Sequence, residues 1–126
     1  ASDIQPVLAA DELIRLQRLV RRVPAPRIVV ETAVKLARMT RPGDPLAPEV
    51  VKEYVSWGAG PRASQYLVLG AKARAAMDGR PMADLEDLDA VALPVLRHRI
   101  VVNFSAEAAG KKTDEIVRDV MKVART

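Results

Sequence analysis

The chain has no cysteine in its 126 residues, a single histidine, and as aromatics only one Trp, two Tyr and one Phe. Each scarcity excludes something. Without cysteine there is neither a disulfide frame nor a thiolate metal site, and the chain suits a reducing cytoplasm, the compartment expected for it. The lone His98 cannot form a multi-histidine metal centre, and a polar residue near a helix end is its ordinary explanation. Few aromatics in a chain that is 49% hydrophobic leave Leu, Val, Ile, Ala and Met to build the core. That palette belongs to packed helices more than to sandwiches, so an all-α fold is expected. No apolar run reaches the roughly 18 residues of a membrane span, and no signal pattern opens the chain. Ala1-Ser2, without an initiating Met, reads as the cut end of a longer protein.

What is present fits one domain with a real core, short for a self-sufficient enzyme. The net charge of +4 is unevenly placed: residues 1–41 hold eight Lys/Arg against four Asp/Glu, and residues 42–126 hold twelve of each. Arg15, Arg18, Arg21 and Arg22 lie along one predicted helix, a face that could meet phosphates or an acidic partner, though a solvated face is the plainer reading.

Prolines and glycines punctuate the rest. Residues 1–9 read as an extended lead-in. A first helix over about 10–22 carries Leu13, Leu16, Val20 and Val23 at helical spacing and stops before Pro24. A second, from about Pro26 to Thr40, presents Val29, Ala33, Leu36 and Ala37, flanked by Val30 and Val34. Three prolines and a glycine make residues 41–49 a surface loop, and Val50–Val55 is too short and mixed to assign between a helical turn and an extended piece.

The chain is organised around Trp57-Gly58-Ala59-Gly60-Pro61-Arg62-Ala63. Two glycines allow positive φ or close backbone approach, and Pro61 suits a first helical position. The predicted third helix carries Ala63, Tyr66, Leu67, Gly70, Ala73 and Met77 as a stripe and ends at Gly79. Arg62 then stands in the first turn, where the macrodipole favours acids, a local cost that makes sense if an anion sits in front of it. Asp84 caps a fourth helix with Leu85, Leu88, Val91, Ala92, Val95 and Leu96 on one face and Pro94 expected to bend it, reaching Arg97-His98-Arg99. Ile100–Phe104 reads as an extended exit, Ser105–Gly110 as one helical turn, and Thr113 opens a last amphipathic helix with Ile116, Val120 and Val123. Gly110-Lys111-Lys112-Thr113 mimics the end of a phosphate-binding loop but lacks the earlier glycine, the Ser/Thr after the first lysine, and the preceding strand. No nucleophile elbow, metal-binding His pair or complete catalytic constellation is present.

Five stretches in this order, Leu16–Val23, Thr40-Arg41, Trp57–Ala63, Gly79-Arg80 and Leu96–Ile100, together resemble the C-terminal helical lid of the MoxR-type AAA+ ATPases, over roughly residues 7–102. The resemblance implies a small helical bundle of four main helices plus a C-terminal helix. It divides the chain into a lead-in (1–9) from an upstream AAA+ core, a lid (10–102), and a C-terminal extension read as helical (103–126). It places the sensor 2 arginine on Arg62, with Gly60 and Pro61 shaping the corner. It further implies ATP and Mg2+ bound mainly by the upstream domain, so that this chain alone does not hydrolyse ATP. The implied context is a homo-oligomer, a hexamer, that remodels or assembles client complexes, often beside a von Willebrand factor A domain protein, with no membrane contact. Two departures stand out: Gly60 occupies the family's usual serine position, and Pro81-Met82-Ala83 replaces an aromatic-containing stretch. The alternative reading is a small basic helical domain binding nucleic acid through the four arginines, or a structural adaptor.

Overall fold

A computed structural model describes residues 3–125. Proline and capping residues set the element boundaries. α1 (Ala10–Arg22) ends before Pro24, α2 (Arg27–Met39) starts after Pro26, and α3 (Glu49–Tyr54) after Pro48. Pro61 is the first residue of α4 (Pro61–Met77), and Asp84 caps α5 (Leu85–Leu96). α6 (Phe104–Ala109) and α7 (Thr113–Arg125) follow. The expected all-α bundle is therefore present, with one addition. Residues 50–55, open between helix and strand in sequence, hold both: α3 runs directly into β1 (Val55–Trp57), which pairs antiparallel with β2 (Val101–Val102). Asn103 secures this small ribbon, its N–H donating to the Tyr54 carbonyl and its side-chain amide to the Glu53 carbonyl.

α4 is the central helix, packed between α2 and α5 with α1 along one side, while α7 closes the bundle against α2, α3 and α5. Its buried row is Ala63, Leu67, Ala71 and Ala75, at steps of four. The predicted stripe is corrected at its edges. Tyr66 lies half outside under the Arg99 guanidinium, 4.8 Å from its ring centre, and Met77 is 89% exposed. A row of small side chains lets neighbouring helices approach, and at Gly70 an added Cβ would lie 3.2 Å from Val91 of α5.

α4 ends as expected. Gly79 takes φ +69°, its N–H donates to the Ala76 carbonyl, and the Arg80 N–H reaches the Ala75 carbonyl, closing the last turn. Arg80 then spans three aspartates: Nε donates to Asp78 (2.7 Å), Nη1 to Asp87 (2.8 Å) and more weakly to Asp84 (3.4 Å), and Nη2 to Asp87. Asp87 is fully buried and also accepts the Asp84 N–H, while Asp84 accepts that of Asp87. The Arg80 guanidinium holds the Asp87 carboxyl at about 2 against the desolvation that opposes it. The Gly79-Arg80 motif is thus the joint between α4 and α5.

Two sequence readings of α1 and α7 meet different fates. None of α1 is buried: Leu13 and Leu16 are 48% and 44% exposed, and only Val23, just beyond the helix, enters the core. The periodicity is real, but one neighbour is too little to cover the stripe. α7 instead buries Ile116, Val117 and Val120 in the common core. It is tied down by Arg97 to Asp114 (3.2 Å) and by Arg125 to Asp89. Among the described residues no helix is long and apolar enough to cross a membrane.

Candidate functional site

The corner before α4 begins with β1 and ends at Arg62. Its two glycines play different parts, and neither has positive φ. Gly58 lies against the chain at the end of α2, where an added Cβ would stand 2.3 Å from the Thr40 carbonyl oxygen. Gly60, the N-cap of α4, has ordinary extended backbone (φ −84°, ψ −174°) and open space around it. Close approach, not left-handed backbone, is what the corner demands, and it falls on Gly58.

Arg62 follows Pro61 as the second residue of α4. It is exposed and has no hydrogen-bond or ion-pair partner among the described residues. No side chain caps this helix and no acid lies in its first turn, so the positive end of the macrodipole and the guanidinium are both uncompensated. Arg62 lines an open groove of about 830 Å³ between α1, α2 and α4. Arg21 and Lys72 line it too, alongside the apolar Val30 and Val34, and no acid is among the lining residues. Lys72 Nζ donates to the Arg21 carbonyl at 3.3 Å, which joins the end of α1 to α4. Three cations over apolar walls can attract a polyanion that carries an apolar part.

The arginines of α1 have different surroundings. Arg15 pairs with Asp11 at 3.2 Å, Arg21 lines the groove with Arg62, and Arg22 lines a separate shallow cleft with Leu19 and Arg80. His98 is exposed beyond α5. In Gly110–Thr113, Gly110 ends α6 at φ +70°, and Lys111 pairs with Asp119 at 3.0 Å.

Sequence reasoning does not find Arg21 and Lys72 as companions of Arg62, because Arg21 comes from α1, about 40 residues earlier, and Lys72 stands ten residues further along α4 with no local signal linking the two. It also leaves Thr40-Arg41 as a motif without a role. In the structure these residues hold the corner: Thr40 Oγ1 accepts the Ala59 N–H (2.9 Å), and Arg41 Nε donates to the Ala59 carbonyl (2.7 Å). Beside them Arg38 binds Asp44 through two hydrogen bonds of 2.9 and 3.1 Å. These bonds, with the Leu46 N–H, hold the Asp44 carboxyl below the usual range and pin the loop after α2.

With this bundle and its arginine-bearing helix start in view, the class is defined by likeness as well. The AAA lid domain family matches residues 47–120, and the chain belongs to it. It is similar to Chaperone MoxR1 of Mycobacterium tuberculosis (strain ATCC 25618 / H37Rv), 29% identical over 116 residues covering 92% of this chain and 31% of that protein. To the uncharacterized protein YeaC of Bacillus subtilis (strain 168) it is 29% identical over 122 residues, 97% of this chain and 35% of that one. The crystal structure of a candidate ATPase from Cytophaga hutchinsonii ATCC 33406 superposes with a TM-score of 0.86 at 27% identity, over 94% of this chain and 36% of the other. The chain thus spans about a third of the length of the relatives it matches. Within its class it is the lid of a MoxR-type AAA+ ATPase, as the five motifs imply.

Proposed function

We propose that Arg62 is the lid's sensor 2 arginine, which meets the terminal phosphate of ATP held by an upstream nucleotide-binding domain. The observation that carries this reading is an unpaired guanidinium in the first turn of an uncapped helix, facing a groove with two further cations and no acid. A polyphosphate there would be attracted both by the guanidinium and by the helix start. In phosphoryl transfer, charge spreads over the oxygens of the transferred group, and a fixed cation stabilises it. Mg2+ belongs with the phosphates on the upstream domain in this reading. The parent protein acts as a homo-oligomer, a hexamer, in a chaperone-like remodelling role in the cytoplasm, with a von Willebrand factor A domain protein as partner. Similarity to a protein named a chaperone supports that role.

The test is Arg62→Ala in the full-length protein. ATP turnover is expected to fall by about 10²-fold, the typical loss for one charge-stabilising group, with thermal unfolding unchanged. Wild-type kinetics in this variant would remove the sensor role. The isolated chain is expected to show no ATP turnover, and an enzyme-like rate from it would overturn the reading.

A further inference from the structure

The corner that aims Arg62 has little stiffness of its own. Gly58-Ala59-Gly60 carries two residues of wide backbone freedom, and Gly60 caps α4 without a side chain. Yet both backbone polar groups of the buried Ala59 are held from outside, its N–H by Thr40 Oγ1 and its carbonyl by Arg41 Nε. The Thr40 hydroxyl donates its own proton to the Ala37 carbonyl at 2.7 Å, which roots the latch in the last turn of α2. Gly58 adds a steric stop, seated on the Thr40–Arg41 backbone. Thr40 is itself fully buried, so these bonds face little competition from water.

We infer that Thr40 and Arg41 are positioning residues for Arg62, and that they set the direction of the α4 start from the end of α2. The inference rests on the proposed role of Arg62 and adds the pair that makes it work. Ala59 lies three residues before Arg62 across Pro61, whose ring fixes one torsion between them. Releasing Ala59 frees the corner, and a guanidinium displaced by about 1 Å can lose up to 10²-fold in rate.

The experiment uses the full-length protein with two readouts, hydrogen exchange of the peptide covering residues 55–63 and steady-state ATP hydrolysis. Thr40→Val keeps the shape and removes the hydroxyl. It is expected to speed exchange in that peptide by about 10-fold and to lower kcat by about 10-fold, with KM for ATP nearly unchanged. Thr40→Ser, which restores the hydroxyl, should return both to wild-type values, a rescue that mere loss of packing would not show. Arg41→Ala, at a half-buried position, removes the bond to the Ala59 carbonyl and should reproduce the Thr40→Val result. Unchanged exchange in Thr40→Val and Arg41→Ala would overturn the latch. Faster exchange with unaltered kcat, beside an impaired Arg62→Ala, would overturn the positioning role alone. Unaltered kcat in Arg62→Ala would remove the polyphosphate reading and this inference with it.

Discussion

Gly58 and Gly60 stand two residues apart, and their surroundings separate them completely. A methyl group on Gly58 would fall 2.3 Å from a carbonyl oxygen and 2.7 Å from the Arg41 Cα, both backbone atoms that cannot step aside. Gly58→Ala should therefore cost about 3 kcal/mol or more. Gly60 has free space and the backbone of an N-cap, so Gly60→Ser should be neutral or stabilising by a few tenths of a kcal/mol. Urea unfolding midpoints of the two variants at unchanged slope check both values. In sequence the two glycines are indistinguishable, since the difference depends on a strand of chain 18 residues earlier. Arg62 was legible for the opposite reason: its oddity is local, a cation in a first turn, and needs no knowledge of neighbours.

At the scale of elements, the turn between α4 and α5 shows what local signals conceal. Glu86 and Asp87 both stand in the first turn of α5, where acids are favoured, yet Asp87 alone is turned inward to Arg80. Its hydrogen bonds set the acid limb of stability. The native carboxyl titrates at about 2, below the unfolded value near 4, so as pH falls the unfolded chain takes up its proton first. Stability from this group is complete above about pH 4 and is lost as pH falls toward 2. Urea midpoints measured from pH 7 to pH 2 should show that loss in the wild type and a shallower one in Asp87→Asn. The variant should also be less stable at pH 7 by about 2 kcal/mol, the worth of a hydrogen bond to a charged group. The boundaries of α1, α2, α4 and the start of α5, by contrast, were readable to within a residue or two, because Pro24, Pro26, Pro61, Gly79 and Asp84 each act on their own backbone; the start of α3 after Pro48 was not. The two strands, of three and two residues, are too short to show any period, and the exposed stripe of α1 shows that a period reports amphipathicity and not the presence of a cover.

For the molecule as a whole, α7 decides whether there is one core. It supplies Ile116, Val117 and Val120, all fully buried, to the cluster that also contains Leu36, Val51, Leu88 and Leu96. Burying three such side chains contributes roughly 5–8 kcal/mol, comparable with the total stability of a domain of this size. Deleting residues 113–126 should thus abolish cooperative thermal unfolding, where a dispensable tail would leave it intact. α1 is the counterpart, a rod of 13 residues, roughly 20 Å long, that packs on α4 without burying any residue and is anchored most firmly at its C-terminal end. There Val23 enters the core, the Arg21 carbonyl receives Lys72, and the Pro24 carbonyl receives the Ala83 N–H. A rod anchored more firmly at one end acts as a lever: a sideways push near Ala10 becomes a torque at Val23–Pro24. It is delivered first to α4, along which α1 lies, at the groove where Arg62 sits.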